Sequence, residues 1–501
     1  MKIIDCHVHP RPGQGYEAAL QHFLQHMIAH GIERMIASDL GDIWPEFPDS
    51  ATLAAANDRL RKAALESNGR LEYLVYISPV LEDWEAEFDK HIADACGVKL
   101  WISLRRAGET FERAIAVLRK ASSLNKAVLI HSFDRTDALR NGEVGADGII
   151  ELARAVPECR IVAAHMCGNW RRAVARAEKF PENVYFDISG GYPERGSVRK
   201  FVDVFGCKRV LFGSDAPGRS FGSQLSKLDF TGQFTQDELE DILYNNSMRV
   251  FNLKEYPFST PAPELPDWQL DYTQDNFCFV GQGRWWDHKV TCAMLTEEAR
   301  KNKVEVLYTA SLEALTAEDK YSANRSFCKE AAACDRIKPL AVVDLNDPEA
   351  FEQLEAYKKD FAGVLISPYL HGYKLDYTAY KHSFDRCSQL ALPIWINATL
   401  SDDRFRAEEL TTRNVKLEEI TAFIAAAPQN KYIFQGVNPL LVLEQDLPEY
   451  VYFECSKVAD GEYTAETIWQ SEHNMVKHLL FGSEYPFRDY HGVASVLHGE
   501  L

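Results

Sequence analysis

Short apolar runs, each bounded by polar or turn residues, recur along the first half of the chain with helix-like segments between them. The runs are continuous rather than alternating, which is typical of parallel strands that are buried on both faces. The intervening segments carry apolar residues at helical spacing, as Leu20, Phe23, Leu24 and Met27 do before Gly31. The predicted strands cover residues 2–9, 33–40, 71–79, 97–104, 127–134, 160–167, 184–190 and 210–217. Eight strand-then-helix units in about 250 residues predict a (β/α)8 barrel of the α/β class.

A doubly wound open sheet is the alternative fold for alternating strands and helices. Such a sheet normally has fewer strands, and a Gly-rich phosphate-binding turn follows its first strand. No GxGxxG motif follows residues 2–9, so the pattern favours the barrel.

The second half of the chain repeats this order of strands. The matching runs lie at 277–285, 304–312, 337–348, 362–370, 392–404, 431–438, 450–458 and 478–487. We therefore predict two tandem TIM-barrel-like (β/α)8 domains, of which the second is degenerate for the reasons given below.

A proline-rich segment separates the two halves. It contains Pro257, Pro261, Pro263 and Pro266, and proline at this density cannot continue a helix or a central strand, which indicates a semi-rigid linker. The predicted boundaries are a first barrel at 1–257, a linker at 258–267 and a second barrel at 268–501.

The net charge of the chain limits the classes of partner that it can bind. The net charge is −19, with 55 basic and 74 acidic side chains, which argues against nucleic acid and against anionic lipid, because both require a basic surface. No run approaches the ~20 apolar residues of a membrane helix. The start of the chain lacks the pattern of a signal peptide, so a cytoplasmic location is expected. Residues 1–257 carry a net charge of only −4 and residues 258–501 carry −15, so an anionic small-molecule substrate suits the first barrel.

Five polar residues stand at the ends of four predicted strands in the first half. They are His7, His9, His131, His165 and Asp215. His7 and His9 share one face of their strand because side chains alternate along it. The carboxyl ends of barrel strands meet at one rim, where active sites lie. Imidazole and carboxylate suit Zn²⁺ or another first-row divalent ion, so a metal site is predicted at this rim.

The first half also resembles a known family. The pieces that carry the resemblance are IIDCHVHP, the GVKL strand, VLIHSFD, IVAAHMCGN, VLFGSDAP and the closing ILYNNSMRVFNL, which together span residues 1–253. They resemble the amidohydrolase superfamily, in the amidohydrolase-related branch that includes aminocarboxymuconate-semialdehyde decarboxylase, aromatic-acid decarboxylases and lactonases. The resemblance implies that His7, His9, His131 and Asp215 bind one divalent ion, with Zn²⁺ expected and Mn²⁺ as the alternative. It also implies that His165 is a catalytic group beside the metal.

This resemblance implies a metal-dependent enzyme and leaves two reactions open. In a hydrolase, a divalent ion lowers the pKa of its bound water from 15.7 to about 7. Asp215 takes the proton, and His165 polarises a carbonyl or donates to the developing oxyanion. In a decarboxylase, the same groups protonate a carbon before carbon dioxide leaves. We expect a hydrolase of a small carboxylated or lactone substrate, with the decarboxylase as the first alternative and a non-catalytic binding protein as the second.

Further residues near the predicted rim have open roles. Lys99 is either a carboxylated bridge between two metals, as in some superfamily members, or a residue without that role. Asp5 is expected to orient one of the metal ligands without contacting the metal itself. Arg105, Arg106 and Arg219 follow strands four and eight and are candidates to bind a substrate carboxylate.

The second half lacks the predicted ligands. By strand order, His7 and His9 align with Gly281 and Gly283, and the other aligned pairs are His131 with Asn397, His165 with Gly436, Asp215 with Glu484 and Lys99 with Leu365. One oxygen ligand remains where four ligands are required, so this barrel is expected to bind no catalytic metal. Our hypothesis is that the second barrel acts as an internal substitute for a partner subunit, an intrachain pseudo-dimer that leaves a higher homo-oligomer open.

Overall fold

Two compact units form the chain in the computed structural model, and they separate between Pro266 and Asp267. The structure describes residues 1–10, 16–41, 49–102, 107–136, 139, 143–228, 232–258, 270–283, 289–347, 349–350, 355, 358–400, 402–405, 411–472 and 475–498. Residues 259–267 of the predicted linker lie outside these ranges, so the semi-rigid character of the linker stays a prediction. None of the described helices is both long enough and apolar enough to cross a bilayer.

The first unit is an eight-stranded parallel barrel with its strands in sequential order. Its strands are β1 (Ile4–Val8), β2 (Arg34–Ala37), β3 (Leu71–Ile77), β4 (Gly97–Leu100), β5 (Ala127–Ile130), β6 (Ile161–Ala163), β7 (Val184–Asp187) and β8 (Val210–Leu211). The Cys6 amide donates to the Phe212 carbonyl at 3.0 Å, which joins β1 to the end of β8 and closes the ring. Nearly every strand residue is buried, as continuous apolar runs require.

Helices cover the outside of this barrel. They are α1 (Tyr16–Ala29), α2 (Ser50–Glu66), α3 (Trp84–His91), α4 (Ala107–Ser123), α5 (Ala146–Ala155), α6 (Trp170–Val174), α7 (Ser197–Phe205), α8 (Phe221–Leu225), α9 (Gln236–Glu240) and α10 (Asn246–Val250). In α1 the buried face consists of Leu20, Phe23 and Met27, at the spacing seen in the sequence.

The second unit repeats the architecture, and the prediction of two tandem barrels is confirmed. Its strands are β9 (Gln274–Val280), β10 (Val306–Ser311), β11 (Ile337–Val343), β12 (Gly363–Ile366), β13 (Ile394–Asn397), β14 (Tyr432–Gln435), β15 (Val451–Glu454) and β16 (Leu479–Leu480). Its helices are α11 (Cys292–Lys301), α12 (Leu312–Thr316), α13 (Lys320–Ala331), α14 (Pro368–His371), α15 (Lys381–Gln389), α16 (Leu417–Ala426), α17 (Thr464–Trp469) and α18 (Tyr490–His498).

The hydrogen bonds that close each ring correct one predicted alignment. In the first barrel the Asp215 amide donates to the His7 carbonyl at 2.7 Å, and in the second the Glu484 amide donates to Phe277 at 2.7 Å. His9 donates to Ala216 at 2.8 Å, and Phe279 donates to Tyr485 at 2.8 Å.

His7 and His9 therefore correspond to Phe277 and Phe279, and the alignment with Gly281 and Gly283 is wrong. The predicted strand at 277–285 lies too late in the chain, because the observed strand is Gln274–Val280.

Candidate metal centre at the rim of the first barrel

The carboxyl ends of the first barrel's strands gather the polar side chains at one rim. Some lie in the strands and others directly after them. His7, Lys99 and Asp187 belong to β1, β4 and β7, and His9, His131, His165 and Asp215 follow β1, β5, β6 and β8.

His7, His9 and Asp215 form one group of potential ligands, and His7, His165 and Asp187 form another. The Nε2 atoms of His7 and His9 are 3.0 Å apart, and the His9 Nε2 lies 3.4 Å from an Asp215 carboxylate oxygen. One ligand atom from each of the three residues lies within 4.8 Å of the others. Asp215 takes this position with φ of 68°, in the left-handed region.

The hydrogen bonds of the outer ring nitrogens explain why a cation fits between His7 and His9. The His9 Nδ1 lies 2.9 Å from the Ser38 carbonyl oxygen, and the His7 Nδ1 lies 3.0 Å from a carboxylate oxygen of Asp187. Both partners accept hydrogen bonds, so both Nδ1 atoms carry protons and both Nε2 atoms present lone pairs. Two nitrogen lone pairs that are 3.0 Å apart can bind the same divalent cation. The donor set therefore fits a metal ion.

Lys99 contacts the same His7 nitrogen. Its Nζ lies 2.7 Å from the His7 Nε2, and it is fully buried. Burial lowers the pKa of Lys99 to about 8. The structure thus places Lys99 in contact with the predicted metal site, where both of its open roles remain.

His131 lies beside this group. Its ring stacks on the Trp101 indole, with centroids 3.7 Å apart and planes within 4°, and Phe133 lies parallel to it at 6.2 Å. The His165 ring is 5.3 Å away. Within the described part of the chain, no ligand atom of His131 belongs to a group of three within 4.8 Å, so its role as a fourth ligand stays a prediction.

His165 sits in a left-handed turn after β6. Its φ is 61°, and its backbone amide donates to Asp187 at 3.0 Å. The Nδ1 lies 3.1 Å from the carbonyl oxygen and 2.9 Å from the hydroxyl of Ser189. Burial, followed by His7 and His131, lowers the pKa of His165 well below its ordinary value. The neutral ring therefore carries its proton on Nδ1 and presents a bare Nε2.

Asp5 acts on the backbone rather than on a histidine ring. Its carboxylate accepts from the amides of His7 and Ser214, both at 3.0 Å. Burial raises the pKa of Asp5 to about 7. It thus fixes the ends of β1 and β8, which carry three of the predicted ligands.

One of the three predicted substrate arginines can be located. Arg105 and Arg106 lie outside the described residues. The Arg219 amide donates to the Asp215 carbonyl at 3.2 Å. Within the described residues, the Arg219 Nε is buried without a hydrogen-bond partner, so this guanidinium has a donor to offer an anion.

Sequence reasoning missed three residues that support the histidines, Asp187, Ser189 and Lys227. Asp187 contacts both His7 and His165. It ends β7, and the rule that polar strand ends meet at the rim would have identified it. Ser189 lies in the turn after β7 and Lys227 lies in a short 3₁₀ helix at Ser226–Leu228, and no local pattern in the sequence marks them.

The corresponding positions of the second barrel are filled differently. Phe277 and Phe279 replace the paired histidines, with ring centroids 5.6 Å apart. The Glu484 carboxylate accepts from Arg488 Nε at 2.8 Å and lies 3.4 Å from Lys457 Nζ. Side-chain cations therefore neutralise the carboxylate that corresponds to Asp215.

Comparison with known proteins identifies one family. A family model described as amidohydrolase matches residues 4–253. Among solved structures, the chain is similar to 2,6-dihydroxybenzoate decarboxylase from Rhizobium, with 16% identity over 50% of this chain and 98% of that one and a TM-score of 0.41. It is similar to 5-carboxyvanillate decarboxylase from Sphingomonas paucimobilis, with 14% identity, 50% and 99% coverage and a TM-score of 0.39. It is also similar to dihydroxybenzoic acid decarboxylase from Polaromonas sp. JS666 with bound manganese and 2-nitroresorcinol, with 16% identity, 51% and 98% coverage and a TM-score of 0.39. No curated protein sequence matches the chain significantly.

Proposed function

Because the chain belongs to the amidohydrolase family through residues 4–253, we propose that its first barrel is a metal-dependent hydrolase of a small carboxylated or lactone substrate. The observation that carries this proposal is the close approach of the Nε2 atoms of His7 and His9, which are 3.0 Å apart. Their outer nitrogens are held by Ser38 and Asp187, an arrangement that is typical of metal-binding histidines.

Each group at the rim has a distinct task. His7, His9, His131 and Asp215 would hold the ion, with Zn²⁺ expected and Mn²⁺ as the alternative. When bound, such an ion lowers the pKa of its water from 15.7 to about 7. Asp215 accepts the proton of the attacking water. His165, neutral with a lone pair on Nε2, would take this proton from Asp215 and pass it to the leaving group.

Arg219 is the described residue best suited to bind a substrate carboxylate. It follows Asp215 by four residues, and its buried Nε has a hydrogen to donate. A guanidinium binds a carboxylate through two parallel hydrogen bonds. A carboxylate or a lactone oxygen held there would lie beside the metal ligands.

A decarboxylase of an aromatic or unsaturated acid is the second candidate. The flat stack of Trp101, His131 and Phe133, with planes within 4° of parallel, favours a planar substrate. In that case a proton taken up from water by the His165 Nε2 would be delivered to a ring or alkene carbon before carbon dioxide leaves.

Metal analysis of the purified protein tests the site. We expect about one tightly bound Zn²⁺ or Mn²⁺ per chain by elemental mass spectrometry. His9→Ala should lose the ion, and the exposed His382→Ala should retain it. His131→Ala tests the fourth ligand in the same way. A wild type without metal would favour a non-catalytic binding protein, and two ions per chain would assign Lys99 as a carboxylated bridge.

A substrate screen then separates the two reactions. Zn²⁺- and Mn²⁺-loaded protein is assayed with lactones for acid release and with aromatic and unsaturated acids for carbon dioxide release. Activity on lactones alone supports the hydrolase. Carbon dioxide release that His165→Gln abolishes would replace it with the decarboxylase.

A further inference from the structure

A buried lysine contacts the turn after β7, and the proposed reaction assigns it no role. Lys227 follows α8, and it is only 4% exposed. Its ammonium donates to the carbonyl oxygens of Ile188 at 2.7 Å and Gly190 at 2.9 Å. These carbonyls belong to the turn directly after β7, so one side chain ties together the two ends of a three-residue turn.

The residue in the middle of this turn touches both imidazoles of interest. The Ser189 hydroxyl lies 2.8 Å from the His7 Nδ1 and 2.9 Å from the His165 Nδ1, and it donates to Asp187. Because its only hydrogen goes to that carboxylate, it accepts from the histidines. The Nδ1 proton of His7 is also held by Asp187. The Nδ1 proton of His165 is held by the two oxygens of Ser189, so the position of Ser189 decides where the His165 ring carries its proton.

The turn leaves no room for His165 to move toward it. Gly190 has φ of 62°, and a Cβ atom there would overlap the His165 Nδ1. The ring is thus seated directly against the backbone that Lys227 holds.

The second barrel provides an internal comparison. Its Ser456 and Glu454 reproduce Ser189 and Asp187, since the Ser456 hydroxyl and amide donate to Glu454 at 2.9 and 2.7 Å. Phe277 and Gly436 stand where the histidines would be, and Val496 stands twelve residues after Glu484, as Lys227 stands twelve residues after Asp215. The lysine therefore occurs in the barrel that has imidazoles to orient.

We propose that Lys227 is a positioning residue of the first barrel. It holds the 188–190 turn so that Ser189 keeps His165 protonated on Nδ1, which leaves the lone pair of this ring on Nε2. The consequence for catalysis rests on the proposed function, but the effect on the ring does not.

Nitrogen NMR of histidine-labelled, metal-free protein tests the inference, with the His165 signals identified by their loss in His165→Gln. In the wild type we expect the His165 proton on Nδ1. In Lys227→Met, which keeps the length but loses the donors, a second population with the proton on Nε2 should appear. Lys227→Arg, which retains donors, should restore the wild-type pattern, and the exposed Lys208→Met should leave it unchanged.

Two results would overturn the proposal: a wild-type His165 protonated on Nε2, or a folded Lys227→Met with an unchanged pattern. Should Lys227→Met fail to fold, Lys227→Gln, with one amide donor group for two carbonyls, takes its place and is judged in the same way. Zn²⁺ content is measured in parallel. A wild type that binds no Zn²⁺ would contradict the proposed function and leave the tautomer result readable.

Discussion

Single residues behind the histidines determine whether the site can hold a cation. Asp187 is fully buried and accepts from the His7 ring, the His165 amide and Ser189. A carboxylate on the outer nitrogen of a histidine fixes its tautomer and makes the ligating nitrogen more basic. The strength of metal binding therefore depends on a residue that does not touch the metal.

Asp187→Asn should weaken Zn²⁺ binding by about 10- to 100-fold, because the loss of such a partner has that effect in other metal sites. The measurement is competition with a chromophoric chelator. Asp203→Asn, at an exposed ion pair with Arg199, is the matched control and should bind as the wild type does. Equal affinity in both variants would remove Asp187 from the site.

Gly190 and Gly206 form a second matched pair, since both adopt a positive φ. A Cβ at Gly206 meets nothing within 4 Å, whereas one at Gly190 overlaps His165. Gly206→Ala should cost roughly 1–3 kcal/mol of unfolding free energy from the backbone alone, because its φ of 81° and ψ of 143° suit only glycine. Gly190→Ala should cost roughly 1–3 kcal/mol more because of the overlap. Urea unfolding measures both free energies. Equal losses would show that the 188–190 turn shifts to accommodate the added Cβ at no cost in stability.

At the scale of elements, several helices end in the same way. After α1 and α15, a residue in the left-handed region is followed by an amide that bonds back into the helix: Ile32 to Met27 at 3.1 Å and Leu392 to Cys387 at 3.0 Å. The left-handed residue is Gly31 in the first case and Ala391 in the second. Glycine suits this position because it has no Cβ.

Ala391→Gly should therefore stabilise the protein by up to about 1 kcal/mol, because relief of backbone strain exceeds the added entropy of the unfolded chain. Gly31→Ala should destabilise it by a similar amount. The control is Ala333→Gly, an exposed position without a positive φ, which should lose stability. Thermal unfolding measures all three, and a loss in Ala391→Gly would contradict the account.

Elements are also the scale at which the sequence was most informative. Each barrel strand lies wholly or largely within a predicted apolar run, because strands buried on both faces leave a continuous signal. The exception is β9, which begins three residues before the prediction, since its first residues are polar. That shift moved two histidine positions onto glycines. The roles of Ser189 and Lys227 could not be predicted from the sequence, because their contacts form only when segments that are distant in the sequence come together in the fold.

At the scale of the whole molecule, each barrel has its own pair of buried acidic residues, and the two pairs occupy corresponding positions. Asp275 accepts from the Phe277 and Ser483 amides, as Asp5 does from His7 and Ser214. Glu454 accepts from Gly436 at 2.7 Å, as Asp187 does from His165. The second barrel has kept these backbone supports without the imidazoles.

Retention of such a carboxylate makes the stability of the chain depend on pH. Burial raises the pKa of Glu454 from 4.5 to about 8. Between these values the folded chain holds a proton that the unfolded chain has released, so the free energy of unfolding falls as the pH rises through this interval.

Glu454→Gln, which cannot ionise, should lose less stability than the wild type between about pH 5 and pH 8, by on the order of a few kcal/mol. Urea unfolding across this range measures the difference. The exposed Glu472→Gln should follow the wild type. Parallel curves for Glu454→Gln and the wild type would contradict the assigned cause.

The paired phenyl rings of Phe277 and Phe279 have a consequence for any attempt to build a metal site in the second barrel. A histidine introduced at one of these positions would place an imidazole among apolar neighbours, and an unsatisfied buried polar group costs about 1–3 kcal/mol. No cation would compensate it, because Lys457 and Arg488 already neutralise Glu484. A single substitution toward a ligand set in the second barrel therefore lowers its stability before it supplies a metal site, so several positions would have to change together.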